Sequence, residues 1–190
     1  MQLYGSTTSP FVRRLRLYLG DKDYEFINLD IFSAEGREIL REKNPTLKIP
    51  MLQDGEQAIY DSRVIYRYLA DKAGDLPLSW QQENAMTVID AANDAFIILL
   101  MLKRSGVAND ADFLLQKLTY ERTASTLGSI ADYLEQGLFA NWDYPSICLF
   151  TLLDWIDFRG LYDLSTTPAF VEFHSKHKST ALAKATDPRV

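Results

Sequence analysis

Two hydroxyl side chains stand at the predicted starts of helices, where they could stabilise a negative charge. Ser9 precedes Pro10, and Ser62 follows Asp61. The first turn of a helix has backbone N–H groups without intrahelical acceptors, and these groups favour bound anions. The same positions are typical of helix caps, which require no chemistry. Taken alone, capping is the favoured interpretation of Ser9.

The histidines and the single cysteine restrict the other kinds of chemistry. His174 and His177 lie three positions apart on a predicted helix and could share a metal ion, but the sequence around them offers no complete ligand set. We therefore expect surface histidines and no metal. Cys148 is the only cysteine, which excludes an internal disulfide and a two-cysteine redox motif and fits a reducing compartment.

The net charge and the hydropathy restrict the kinds of partner that the protein could bind. The formal net charge of -6 argues against a general affinity for nucleic acid. Arg13, Arg14 and Arg16 form a local basic cluster, for which the solvated face of an amphipathic helix is the favoured interpretation. The aliphatic run at 97–102 is far shorter than the roughly 20 residues that cross a bilayer. The chain begins without the pattern of a secretory signal, so we expect a cytoplasmic protein without a membrane span.

The first 74 residues combine short strands with amphipathic helices. Strands are predicted at 2–4, 24–29, 49–53 and 57–60. Helices are predicted at 10–20, 34–41 and 62–73. The turn at Asp54-Gly55 joins the last two strands, because this pair adopts the positive φ angles of a tight hairpin. The order βαβαββα predicts an α/β domain over residues 1–74.

The rest of the chain is predicted to be all-helical. The segment GDLPLS, from Gly74 to Ser79, lacks periodicity and is the best candidate for a linker. Beyond it the strand signals disappear. Helices are predicted from Ser79 to Arg104, from Asp112 to Gln136, from Asp143 and from Thr167. We therefore predict a second, helical domain over residues 79–190.

Three segments resemble cytosolic glutathione S-transferases of the serine and cysteine types, especially bacterial members. Residues 5–19 read GSTTSPFVRRLRLYL, similar to the strand that runs into a Ser-Pro or Cys-Pro helix start in that family. Residues 44–69 read NPTLKIPMLQDGEQAIYDSRVIYRYL and resemble its remaining glutathione-binding half. Residues 152–159, LLDWIDFR, resemble the buried sixth helix of bacterial members. The resemblance implies a thioredoxin-like N-terminal domain followed by a helical bundle.

The resemblance assigns a catalytic role to one hydroxyl. Ser9 falls on the position of the family's catalytic serine, which donates a hydrogen bond to the glutathione thiolate, the nucleophilic form of the thiol. Phe11 is implied as a glutathione contact. Other nearby hydroxyls remain open as alternatives to Ser9; they belong to Tyr4, Ser6, Thr7 and Thr8.

Further positions match residues that bind the tripeptide in this family. Lys48 is expected to pair with the glycyl carboxylate. Ile49, whose bond to Pro50 is expected to be cis, is expected to bind the cysteinyl unit through its backbone. Asp61 and Ser62 are expected at the γ-glutamyl group, where the helix start receives its carboxylate.

The implied function is the conjugation of glutathione, a co-substrate, to a small and largely apolar electrophile. The family habit also implies a homodimer, and in some relatives an acidic residue near Asp90 or Asp94 reaches glutathione across the dimer. The alternative is a non-catalytic glutathione-binding or regulatory protein of the same fold, since a fold does not decide a function. A thiol-disulfide reductase is disfavoured because it would need a cysteine at position 9.

Overall fold

A computed structural model describes residues 1–108 and 113–190. The chain falls into two compact units, which we call the N-terminal unit and the helical unit. The N-terminal unit consists of Met1–Pro77 together with Thr180–Val190, and the helical unit consists of Leu78–Ser179. The end of the chain therefore groups with the N-terminal unit, whereas the sequence predicts a helical domain that extends to residue 190. The predicted boundaries at 74 and 79 stay a prediction.

Four short strands form one mixed sheet in the N-terminal unit. They are β1 (Gln2–Gly5), β2 (Glu25–Asn28), β3 (Met51–Asp54) and β4 (Gln57–Tyr60). Their order is β2-β1-β3-β4, with β1 parallel to β2 and antiparallel to β3, and with β3 and β4 forming a hairpin. This sheet and its helices confirm the predicted thioredoxin-like fold.

Local sequence signals define the helices of this unit. They are α1 (Pro10–Leu19), α2 (Ala34–Lys43) and α3 (Ser62–Ala73). The Ser33 hydroxyl caps α2 by accepting from the Gly36 amide at 3.0 Å. Gly74 ends α3 in the left-handed conformation, which a residue without Cβ adopts readily. The predicted helices are confirmed to within about two residues at their ends, the usual uncertainty of such boundaries.

The sheet is buried on both faces. Leu3 pairs with Leu52, and both side chains are fully buried. The next pair, Tyr4 and Met51, points to the opposite face because successive side chains of a strand alternate. There it packs in a core cluster with Leu40 of α2. Apolar residues therefore occupy consecutive positions of β1 and β3, as expected for strands covered on both sides.

Gly5 allows α1 to lie close to the end of β1. A Cβ atom at Gly5 would lie 2.3 Å from one methyl carbon of Val12 and 2.8 Å from the other. Val12 is fully buried, so it has little room to move away. Only glycine fits this contact without displacing the first turn of α1.

The described part of the helical unit contains four long helices. They are α4 (Trp80–Arg104), α5 (Leu114–Glu135), α6 (Tyr144–Phe158) and α7 (Pro168–Lys178). The four predicted helices are present, but the predicted start of the second at Asp112 lies outside the described residues. A 3-10 turn at Leu164–Thr166 was not predicted. Most of α6 is buried, as its apolar sequence indicated.

Helix α4 has the length and hydropathy of a candidate membrane span. Its most apolar window of 18 residues has a mean hydropathy of 1.8, and 44% of that window is buried. Core helices of soluble proteins meet the same criterion, and α4 packs against α5 and α6. The absence of a membrane span therefore stays a prediction.

Candidate functional site

The register of the sheet brings three sequence segments to one end of the N-terminal unit. Tyr4 of β1 pairs with Met51 of β3, which in turn pairs with Tyr60 of β4. Because β1 and β3 are antiparallel, the end of β1 lies beside the beginning of β3 and the end of β4. The loop that precedes α1, the loop that contains Ile49 and the turn at Asp61 therefore all leave the sheet at this end.

Ser9 is the N-cap of α1. Its backbone is extended, and its hydroxyl oxygen accepts a long hydrogen bond of 3.4 Å from the Val12 amide. Pro10 occupies the first helical position, as predicted. The side chain is only partly buried. Capping uses a lone pair of the hydroxyl and leaves its proton for donation, so a cap can also be a donor to an anion.

Three of the four alternative hydroxyls are engaged in other contacts. The Tyr4 hydroxyl donates to the Gln2 side chain at 2.9 Å, which directs it toward the beginning of β1 and away from Ser9. The hydroxyls of Ser6 and Thr8 hydrogen-bond to each other at 3.1 Å. These contacts favour Ser9 over Tyr4, Ser6 and Thr8 as a donor at the start of α1.

Asn44 organises the loop that carries Lys48 and Ile49. Its buried side-chain amide donates to the Lys48 carbonyl at 2.7 Å, and its side-chain oxygen accepts from the Thr46 amide at 2.9 Å. The Lys48 side chain is exposed, which suits a residue expected to pair with a carboxylate. The Ile49-Pro50 bond is cis, as expected. The Ile49 side chain packs against the core cluster that contains Tyr4 and Met51.

Asp61 caps α3 in an unusual backbone conformation. Its φ of 72° is rare for a residue with a side chain, and such strain is concentrated at functional sites. Its carboxylate accepts from the amides of Arg63 at 2.9 Å and Val64 at 3.4 Å. Ser62, the first residue of α3, is buried. The amides of Arg63 and Val64 at this helix start are thus already bound by the Asp61 carboxylate, which is exposed.

Arg14 is the site residue that the sequence argument missed. Its side chain is fully buried, its guanidinium donates to the Ser62 hydroxyl at 3.5 Å, and it lies 4.8 Å from the centre of the Phe11 ring. The cation is therefore placed at the N-terminus of α3, beside the position expected to receive a carboxylate. The helical spacing of Phe11 and Arg14 was a signal for their contact, but nothing in the sequence links Arg14 to Ser62.

The prediction of a solvated arginine face on α1 is wrong. Arg13 and Arg14 are 4% and 0% exposed, and Arg16 is half-buried with its guanidinium 4.5 Å from the centre of the Phe26 ring. The amphipathic spacing predicted that these side chains are exposed to solvent, but other parts of the N-terminal unit cover them. The hydrogen-bond partners of Arg13 and Arg14 lie far away in the sequence, so helical periodicity contains no information about them.

The prediction of surface histidines is also wrong. His174 and His177 of α7 are buried, and His177 stacks on Trp142 with ring centres 4.2 Å apart. Nε2 of His174 lies 2.8 Å from a carboxylate oxygen of Asp154. Ligand atoms of Asp154, Asp157 and His174 lie within 4.8 Å of one another, a grouping that could hold a metal ion. The carboxylates come from α6, so neighbouring sequence did not reveal them.

The helical unit also contains a cavity of about 350 Å³ that includes none of the predicted site residues. The hydroxyls of Tyr162 and Thr167 lie 3.1 Å apart on its wall. The other lining residues belong to α5; they are Ala124, Leu127, Gly128 and Ala131.

Comparison with known proteins identifies the fold of the chain. Residues 3–77 match the family model for the glutathione S-transferase N-terminal domain. A glutathione S-transferase from Methylobacillus flagellatus, solved with glutathione bound, superposes with a TM-score of 0.85 at 21% identity, covering 98% of each chain. The chain therefore has the glutathione S-transferase fold, a thioredoxin-like domain followed by a helical region.

The sequence similarity to curated relatives covers only part of the chain. The chain is 36% identical over 75 residues to glutathione S-transferase 3 of Zea mays, covering 38% of this chain and 34% of that protein. It is 37% identical over 65 residues to a probable maleylacetoacetate isomerase of Caenorhabditis elegans, covering 34% and 30% of the two chains. The matches thus span about a third of the length of these relatives.

Proposed function

We propose that this protein is a glutathione S-transferase that joins the glutathione thiolate to a small, largely apolar electrophile. The observation that carries the proposal is the convergence of the start of α1, the Ile49-Pro50 loop and the start of α3 at one end of the sheet. The match of residues 3–77 to the family model supports it, as does the bound glutathione of the Methylobacillus flagellatus protein.

The N-terminal unit offers a partner of opposite charge or a hydrogen-bond donor or acceptor for each polar part of the tripeptide. The exposed Lys48 would pair with the glycyl carboxylate, and the backbone of Ile49 would bind the cysteinyl unit. The start of α3 would receive the γ-glutamyl carboxylate through its N–H groups and the Ser62 hydroxyl. Asp61 would then lie close to the γ-glutamyl amine, with which its exposed carboxylate can pair.

Ser9 would act on the thiol. Its hydroxyl would donate one hydrogen bond to the sulfur, and the positive end of the α1 dipole would favour the negative charge. Both effects favour the thiolate over the thiol and so lower the pKa of bound glutathione. The serine itself need not ionise, and the ring of Phe11 lies in the same first turn of α1.

Three further proposals go with this function. The serine or cysteine type of bacterial transferase is the proposed subclass, supported by Ser9-Pro10 at the start of α1. A homodimer is proposed because symmetric association is the common assembly of such chains. Action in the cytoplasm is proposed from the single cysteine and the lack of any disulfide within the chain.

Calorimetric titration with glutathione tests the proposal first. Saturable binding by the wild-type protein is expected, and its absence would contradict the function and leave a protein that keeps only the fold. Conjugation of a general electrophile such as a nitroaryl halide then separates an enzyme from the non-catalytic alternative. Binding without turnover over a broad set of electrophiles would favour that alternative.

Substitution of Ser9 tests the mechanism. We expect Ser9→Ala to leave glutathione binding nearly unchanged and to raise the pKa of the bound thiol, measured by thiolate absorbance. Loss of a hydrogen bond to a charged group costs about 1.5–3 kcal/mol, or about ten- to a hundredfold in thiolate population or rate. Ser6→Ala is the matched control, because that hydroxyl bonds to Thr8. An unchanged bound-thiol pKa in Ser9→Ala would leave Ser9 as a helix cap only.

A further inference from the structure

We propose that Arg13 is a positioning residue that fastens the C-terminal segment, Thr180–Val190, to α1 and thereby holds Ser9 in place. This inference rests on the proposed function, since it concerns the residue that would act on the thiol. The segment contains a short helix, α8 (Ala181–Ala185), which the sequence analysis did not predict.

The side chain of Arg13 makes the connection. It is 4% exposed, and its guanidinium donates to the Ala183 carbonyl at 2.9 Å and to the Thr186 hydroxyl at 3.3 Å. Ala183 and Thr186 are themselves buried. The guanidinium thus binds the last turn of α8, where carbonyl groups lack intrahelical partners and arginine is a favourable donor.

The backbone of the same residue holds Ser9. The Arg13 amide donates to the Ser9 carbonyl at 3.0 Å, which is the first backbone hydrogen bond of α1. The preceding amide, that of Val12, donates to the Ser9 hydroxyl. A single residue therefore contacts the C-terminal segment through its side chain and the proposed catalytic serine through its backbone.

Leu182 of α8 lies near the other end of α1. A Cβ atom built on Gly20, the C-cap of α1, would lie 3.9 Å from a methyl carbon of Leu182. α8 therefore lies beside α1, hydrogen-bonded at Arg13 and close to Gly20. Attachment at Arg13 restricts the movement of α1, and rotation of α1 would turn the Ser9 hydroxyl away from a bound thiol.

The mildest substitution removes one acceptor of the Arg13 guanidinium and keeps the arginine itself. Thr186→Val replaces the hydroxyl by a methyl group of similar size and deletes the bond to Arg13. Thr87→Val is the matched control, because Thr87 donates to the Glu83 carbonyl at 3.0 Å in the helical unit, on an exposed surface. Arg13→Lys forms a second test, since it keeps the charge but lacks the forked donors that reach two acceptors.

Hydrogen exchange and enzyme assays on this 190-residue chain decide the matter. Hydrogen exchange at the amides of Val12 and Arg13 should be about tenfold faster in Thr186→Val than in wild type, because local opening of α1 becomes easier. The turnover number should fall about tenfold and the bound-thiol pKa should rise, with glutathione affinity within about threefold of wild type, because small misplacements of a reacting group affect rate strongly. Thr87→Val should change none of these quantities.

The outcomes separate this inference from the proposed function. Unchanged exchange and an unchanged bound-thiol pKa in both Thr186→Val and Arg13→Lys would overturn the positioning role, even if both variants melt at a lower temperature. Faster exchange in a protein whose wild type binds no glutathione would support the fastening of α1 and contradict only the proposed function. Faster exchange with a normal bound-thiol pKa would assign the C-terminal segment to stability alone and so overturn the positioning role.

Discussion

Arg14 donates a hydrogen bond to the Ser62 hydroxyl across 3.5 Å and so joins the middle of α1 to the first residue of α3. Ser9 caps the N-terminus of α1, and the proposed γ-glutamyl site lies at the N-terminus of α3. The buried guanidinium lies at the N-terminus of α3, where its charge adds to the positive end of the helix dipole and favours an anion. The hydroxyl of Ser62 accepts this hydrogen bond from Arg14, and Ser62 itself is buried.

We expect Ser62→Ala to weaken glutathione binding about ten- to a hundredfold, because one hydrogen bond to a carboxylate is worth about 1.5–3 kcal/mol. The bound-thiol pKa should stay at its wild-type value, since Ser62 does not contact the sulfur. Calorimetric titration measures the first quantity and thiolate absorbance the second. Ser129→Ala is the control, because that exposed hydroxyl bonds only locally to the Ser125 carbonyl among the contacts described. Wild-type affinity in Ser62→Ala would remove Ser62 from the glutathione site.

Gly5→Ala should destabilise the N-terminal unit by about 1–3 kcal/mol, the usual cost of overpacking a well-packed core. The new Cβ would meet a methyl carbon of Val12 at 2.3 Å. Urea denaturation measures the loss. The double variant Gly5→Ala/Val12→Ala provides the internal control, because removal of both methyl groups relieves most of the clash. Its loss of stability should be smaller than the sum of the two single losses. Additive losses would show that the clash is not the cause.

Asn44→Ala should destabilise the loop that carries Lys48 by about 1–3 kcal/mol, because the Lys48 carbonyl and the Thr46 amide would both lose a partner. The affinity for glutathione should fall as well, since Lys48 and Ile49 lose their fixed positions. Denaturation and calorimetry measure the two effects. Asn141→Ala, an exposed position in the helical unit, is the control. If Asn44→Ala is destabilised but binds glutathione with wild-type affinity, the loop is not part of the binding site.

The helical unit should lose stability as the pH falls below about 6.5, the ordinary pKa of an unfolded histidine. Burial lowers the pKa of His177 in the folded protein, and the charge of the neighbouring Lys176 lowers it further. Between the folded and unfolded pKa values the unfolded chain binds more protons, so stability is full above this range and is lost within it. His177→Phe should show a shallower loss between pH 7.5 and 5.5 in thermal melts. Equal slopes for the two proteins would contradict this account.

Several features of the N-terminal unit could be predicted because their causes are local. Ser9-Pro10 specifies a helix start through one hydroxyl and one fixed φ, and Gly74 ends α3 through its freedom to adopt a positive φ. The turn between β3 and β4 depends in the same way on Gly55. These effects act within a few residues, so the amino-acid sequence alone determined the order of strands and helices in this unit.

The tertiary structure decided which charged side chains are buried and what they bind. The acceptors of Arg14 and Arg13 lie 48 and 170 positions away, at Ser62 and Ala183. His174 likewise meets Asp154 only because α6 and α7 pack together. A periodic pattern records which face of a helix is polar, but burial of that face depends on distant segments that fold over it. The sequence therefore determined where α1 begins, and only the folded chain determined what holds it.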